Sequence, residues 1–225
     1  MARDLIIAID GPSGAGKSSA AKALAMRLGY LYLESGALYR AIAWKVVQEG
    51  VDPENVEALK DLCQRIEISI RNVKGQSRIW VGQKDVTDEL KTPVLDRVSS
   101  QISSMAPVRE RLLHLQRQVG ERGGVVIEGR DIGSVVFPNA HLKFYLDASL
   151  ETRASRRYEE LQHRGHRMSP ESVYGEIQQR DHRDTQRDLA PLKRPKDAIT
   201  IDTTHLTLDQ VVATMMGEIR GRVRA

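Results

Sequence analysis

Short apolar runs recur along the chain, each bounded by polar or glycine-bearing positions: Leu5–Ile9, Leu31–Leu33, Val125–Ile127, Leu142–Leu146 and Ala198–Ile201. Their length and unbroken apolar character predict strands covered on both faces, as in a parallel sheet. Between most of them, apolar positions return at helical spacing, over 17–28, 37–49, 107–120, 150–163 and 207–220. Strands alternating with helices predict an α/β fold, with a parallel five-stranded sheet and helices on both of its faces. In such sheets ligands gather beyond the carboxyl ends of the strands. The residues there read Asp10-Gly11, Glu34-Ser35-Gly36, Glu128-Gly129-Arg130-Asp131 and Asp147, the polar, glycine-bearing ends that a nucleotide site requires.

Residues 62–96 interrupt the alternation. Ile66–Ile70 and Arg78–Val81 read as two strands of a hairpin joined through 72–76, with Gln83–Asp85 as a further turn. They predict a small β-rich insertion inside one domain spanning 1–225.

The first loop carries the most specific chemistry. Gly11-Pro12-Ser13-Gly14-Ala15-Gly16-Lys17-Ser18 matches the spacing G-x-x-x-x-G-K-[ST] without a gap, between an apolar run and the helix-forming stretch that begins at Ser19. Glycines let the backbone wrap a polyphosphate with its N–H groups turned inward, and the following helix adds partial positive charge. Lys17 is placed to reach the β- and γ-phosphates. The Ser18 hydroxyl is placed to bind the Mg²⁺ that accompanies ATP. Residues 11–19 are therefore the expected ATP site. Glu128, after Val125-Val126-Ile127, is the nearest carboxylate candidate for acting on the metal or on water.

Charge narrows the picture further. The chain of 225 residues has a net charge of +4, and arginine outnumbers lysine more than twofold. The planar guanidinium fork suits specific phosphate or carboxylate recognition rather than diffuse attraction. Two Phe and two Trp are too few for a base-stacking platform along a single-stranded nucleic acid, so no nucleic-acid partner is expected. No apolar stretch approaches the ~20 residues of a membrane span. The N-terminus does not read as a secretion signal, and the single cysteine, Cys63, reads as a small core residue. A cytoplasmic monomer is expected. Residues 151–187 are dense in charge. Arg153, Arg156, Glu159 and Glu160 read as a solvated helical face. Arg180, Asp184 and Arg187 fall at i, i+4 and i+7, a polar face at core-like spacing that calls for an anionic or ribosyl ligand.

A second set of motifs follows the strands: Ser35-Gly36-Ala37-Leu38-Tyr39-Arg40, Gly129-Arg130-Asp131-Ile132-Gly133-Ser134-Val135-Val136-Phe137-Pro138, and Arg180-Asp181-His182-Arg183-Asp184-Thr185-Gln186-Arg187. With the phosphate loop, these make the chain resemble the bacterial cytidylate kinases, from Gly11 to Asp202-Thr203-Thr204. The resemblance implies a P-loop nucleoside monophosphate kinase that moves the γ-phosphoryl group of ATP to CMP or dCMP with Mg²⁺. It also implies that the insertion belongs to the monophosphate-binding region and that 158–187 is a mobile helical lid. Carried over motif by motif, it places Ser35, Arg40 and Arg130 on the acceptor phosphate. Ser100, Arg109 and Asp131 fall on the cytosine, and Arg180, Asp184 and Arg187 on lid, ribose and phosphate contacts. Lys17, Arg130, Arg180 and Arg187 become the catalytic set. Glu34 stands where the family usually has Asp, and Ser18 where some members have Gly; both keep the needed chemistry. Hydrogen-bonding logic favours cytosine as well. An arginine donates to O2 and N3 and a carboxylate accepts from the amine, whereas uracil reverses the pattern at N3 and position 4. The motifs also leave open another P-loop small-molecule kinase, acting on UMP, shikimate or a coenzyme precursor. A nucleic-acid-stimulated NTPase is a remoter alternative.

Overall fold

The computed structural model describes residues 5–73 and 76–223. The central sheet is parallel throughout, with strands β1 (Ile6–Asp10), β2 (Leu31–Glu34), β6 (Val125–Gly129), β7 (Leu142–Asp147) and β8 (Ile199–Asp202) in the order β2-β6-β1-β7-β8. Each strand runs one or two residues past the apolar run that predicts it. The added positions are polar or glycine and lie together at the carboxyl edge, where Asp10 pairs with Gly129, Glu34 with Glu128 and Asp147 with Asp202. Hydrophobicity therefore stops one or two steps before the strand does: Glu34, Glu128 and Gly129 line the cleft, Asp147 and Asp202 are exposed, and Asp10 is buried among polar partners.

Side chains alternate across the sheet as the pleat requires. Ala8, Leu33, Val125 and Ile127 join the core beneath helices α2 (Ser35–Glu49), α3 (Val56–Arg65) and α5 (Ala106–Gly120). Ile7, Ile9, Val126, Phe144 and Leu146 point the other way. They meet α1 (Lys17–Leu28) and α8 (Leu208–Val223). Cys63 is buried in the first of these cores.

The insertion is a three-stranded antiparallel sheet, β3 (Ile68–Val73), β4 (Gln76–Val81) and β5 (Lys84–Asp85). Lys84 and Asp85 form its third strand, pairing with Val81 and Trp80, so the turn predicted there is confined to Gly82 and Gln83. Lys74 and Gly75 of the predicted hairpin connection lie outside the described residues. Two helices that flank this sheet lie outside the predicted helical stretches, although both bury apolar residues at helical spacing, and they carry readable caps. Asn55 accepts the N–H of Ala58 at the start of α3, and Thr92 that of Leu95 at the start of α4 (Pro93–Ile102).

The charged stretch forms two helices, α6 (Leu150–His163) and α7 (Pro170–Gln186). Ala154, Leu161, Val173 and Ile177 bury one another between them, with Leu150, Tyr158, Met168 and Tyr174 around the rim. This pair has a small apolar core of its own, so it holds together internally while its links to the rest of the chain are mostly polar. Arg187 is not on the helical face that spacing predicts: α7 ends at Gln186, and Arg187 is in extended conformation at its cap.

Candidate active site

A cleft of about 1330 Å³ opens along the carboxyl edge of the sheet. Its walls join the phosphate loop from Ser13 to Ser19 with Ser35, Arg40, Ser100, Arg130, Asp131, Arg180, Asp184 and Arg187. Residues from five separate parts of the sequence thus share one cavity. Gly11, Pro12 and Arg109 do not line it. Gly11 and Pro12 are buried at the base of the loop.

The donor end is built around α1. Gly16 caps the helix at φ 81°, a left-handed conformation that only glycine adopts freely, and so turns the loop amides towards the cavity. Lys17 is buried and its Nζ donates to the Pro12 carbonyl at 2.7 Å. Ser18 Oγ donates to Glu128 Oε1 at 2.8 Å, so the two side chains proposed for metal chemistry adjoin, and burial pushes the Glu128 carboxyl pKa upward. Arg153 and Arg156 are not the solvated face that their charge pattern suggests. Arg153 is buried, donates to the Ser13 carbonyl at 3.1 Å and that of Ala148 at 3.0 Å, and pairs with Asp181. Arg156 binds the hydroxyl and carbonyl of Thr203, whose hydroxyl in turn donates to the Ala15 carbonyl at 3.2 Å. The loop is thereby braced from α6, α7 and the end of β8.

Burial, followed by the nearby Arg130 guanidinium, lowers the Lys17 pKa to about 7. Polyphosphate favours the charged amine and must raise that value again. ATP binding at pH 8 is therefore expected to take up protons. Calorimetry in two buffers of different ionisation enthalpy should show an uptake that shrinks at pH 6, where Lys17 is already charged. No uptake at pH 8 would contradict this environment for Lys17.

At the acceptor end, Gln116 is fully buried and donates to Ser35 Oγ at 2.7 Å, which leaves the Ser35 proton free for a ligand. Arg40 pairs with Glu34 and lies 3.5 Å from Asp96. Arg157 of α6 pairs with Asp96 as well, tying the charged helices to this side. Arg130 Nε donates to Asp184 at 2.8 Å, and Arg180 stands 4.0 Å from the same carboxylate. Burial, then Arg130, pulls the Arg180 pKa down to about 10, a sign of cations crowded without full compensation. Arg109 approaches Asp131 from behind the cleft wall. It pairs with that carboxylate while donating to the Ser103 carbonyl at 3.1 Å. Arg187 lies 3.6 Å from the other Asp131 oxygen and donates to Ser103 Oγ at 3.3 Å. Among the described residues, Ser100 Oγ, Arg40 Nε, Arg180 Nε and Arg187 Nη2 are buried with no hydrogen-bond partner. Buried polar groups are rarely left so, and four of them along one cavity indicate a ligand rich in oxygen and nitrogen acceptors.

The cytidylate kinase family model matches residues 7–221. The chain is 44% identical to the cytidylate kinase of Geobacter sulfurreducens over 223 residues, covering 99% of this chain and 96% of that one. It is 41% identical to that of Bacillus subtilis, with both chains covered in full. The chain belongs to the cytidylate kinase family. Among solved structures, a gluconokinase from Sinorhizobium meliloti superposes with a TM-score of 0.52 at 16% identity, covering 100% of this chain and 96% of that one; this shows the shared fold alone.

Within a cytidylate kinase fold, several residues at the cleft carry weight that motif reading does not assign. Gln116 follows Val108 at i+8 and Leu112 at i+4, all three buried. A lone polar residue in an apolar stripe is a legible signal for a buried hydrogen bond. Asp96 and Arg157 carry no such signal, because each is an ordinary helix-surface residue until the two helices are brought together.

Proposed function

We propose that the chain phosphorylates CMP and dCMP with ATP, and that its residues divide the work as follows. Lys17 and the loop amides hold the donor phosphates. Arg40, Arg130 and the Ser35 hydroxyl hold the acceptor phosphate. Arg180, crowded by Arg130, supplies charge to the phosphoryl group in transit. Asp184 keeps Arg130 and Arg180 in register and is the ribose contact, and Arg187 faces the base end.

The observation that carries the base assignment is the Arg109–Asp131 pair beside the unpartnered Ser100 hydroxyl. With one oxygen held by Arg109, Asp131 is kept as an acceptor for the cytosine amine, while nearby guanidinium groups donate to O2 and N3. Uracil would set acceptor against acceptor at position 4. Asp131→Asn is therefore expected to reduce kcat/KM for CMP by roughly 10- to 100-fold, since an amide no longer offers acceptors alone. Unchanged CMP kinetics in that variant would remove Asp131 from base recognition.

No protein nucleophile is required, because the acceptor phosphate is already anionic and transfer depends on positioning and charge. Ser18 with Glu128 fits a magnesium ion that keeps most of its ligands from phosphate and water. When bound, the ion neutralises charge on the β- and γ-phosphates. The lid reading of 158–187 is supported by the self-contained apolar core of α6 and α7 and by the polar links Arg157–Asp96 and Arg130–Asp184 that join it to the acceptor side. A cytoplasmic setting agrees with a single free, buried cysteine, and no helix among the described residues is long and apolar enough to cross a membrane.

A further inference from the structure

Asp10 ends β1, one position before the phosphate loop, and is almost completely buried. It does not line the cleft. Its carboxylate accepts the N–H groups of Ile132 at 2.8 Å and Gly133 at 2.7 Å. Those amides open the π-helical turn Ile132–Val136, and the first amides of a helical turn have no partner within it. Asp131 sits at the cap position but makes no side-chain bond to the turn; its carboxylate pairs with Arg109 instead. Asp10 performs the capping from a different element.

The position is tightly specified. The β1–β6 ladder ends at the Asp10–Gly129 pair, after which the chain carrying Arg130 and Asp131 leaves the sheet. The two carboxylate bonds extend the register past that point. A Cβ at residue 133 would lie 3.2 Å from Asp10 Oδ2 and 3.1 Å from Lys143 Cδ, tight enough that a side chain there would press on the carboxylate.

We propose that Asp10 is a positioning residue for acceptor selection, fixing the backbone of Arg130 and Asp131 against the strand that carries the donor loop while touching neither nucleotide. This rests on the acceptor site described above.

Burial raises the Asp10 pKa to about 7, despite the two amide bonds and Lys17, which lower it; neighbouring Asp131 raises it further. A carboxyl raised in this way adds stability below its ordinary range and loses it as pH rises through about 7. At pH 8 the ionised side chain is thus held for its geometry. Asp10→Asn removes the buried charge and keeps one acceptor oxygen, so the variant is expected to fold, but it sets an amide donor against one backbone N–H.

The test is steady-state kinetics of wild type and Asp10→Asn with CMP and UMP at saturating ATP, with KM for ATP measured alongside. The expected result is a raised KM for CMP and a CMP-over-UMP ratio of kcat/KM reduced by roughly tenfold or more, with KM for ATP unchanged. A ratio and a CMP KM at wild-type values, with only kcat or ATP affinity altered, would overturn the proposal. Should the Asn variant be insoluble, Gly133→Ala serves the same comparison by pressing on Asp10 from the other side. A wild-type enzyme without CMP preference would instead refute the acceptor reading, a distinct outcome from failure of the Asp10 role.

Discussion

Lys17→Ala is expected to lose at least about 10²- to 10³-fold in kcat, the scale of removing one preorganised charge at a reacting centre, while CMP binding is essentially retained. The amine is buried at the donor end and hydrogen-bonds the Pro12 carbonyl, while the acceptor-side groups Arg130, Arg180 and Asp184 act on it through charge alone. Its loss leaves the loop amides to bind ATP but removes the cation nearest the β- and γ-phosphates. Single-turnover transfer together with CMP titration separates the two effects. Near-normal turnover in the variant would show that the loop is not the donor site.

The second large effect is expected at Arg180. Its Nε is buried without a partner, its pKa is lowered by burial and by Arg130, and Asp184 at 4.0 Å only partly balances it. A guanidinium held in that state is available to charge that develops during transfer. Arg180→Ala should lower kcat by roughly 10²-fold or more with a small change in KM. Arg187→Ala should shift the balance towards KM for CMP, because Arg187 stands against Asp131 and Ser103. Equal KM-only effects in both variants would make Arg180 a simple binding residue. The same arginines report on lid motion. With a bisubstrate analogue bound, amide exchange across 158–187 should slow, most of all around Asp184 and next to Arg157, where polar links join the segment to the acceptor side. Equal protection with and without the analogue would make the two helices a fixed wall of the cleft.

The sheet was legible in the sequence because strands covered on both faces leave unbroken apolar runs, and the donor loop because its spacing is set by phosphate geometry. The strand ends were less so: Asp10, Glu34 and Asp202 belong to the ladder yet look like loop residues, since one caps a buried turn, one lines the cleft and one is exposed. Arg153 and Arg156 misled for a related reason. A charged helix face reads as solvated unless the sequence reveals what lies opposite, and here that is the carbonyl of Ser13 for one and Thr203 for the other. Arg187 left the predicted helical face because α7 stops one residue short, although its guanidinium still arrives beside Asp131. Local spacing specifies which residues share an element. It does not specify which buried partner, contributed from more than a hundred residues away, will hold them, as Glu128 does for Ser18 and Ile132 for Asp10.

The most direct test of the central claim is kcat/KM of the wild-type protein for CMP, dCMP, UMP and AMP, with ATP and magnesium, in a coupled ADP assay. CMP and dCMP are expected to exceed UMP and AMP by at least about 10²-fold, short of the ~10⁴ that a fully buried polar mismatch reaches because the cleft is open to water. Comparable values for UMP and CMP would contradict the Arg109–Asp131 reading of the base and with it the assignment of the acceptor site.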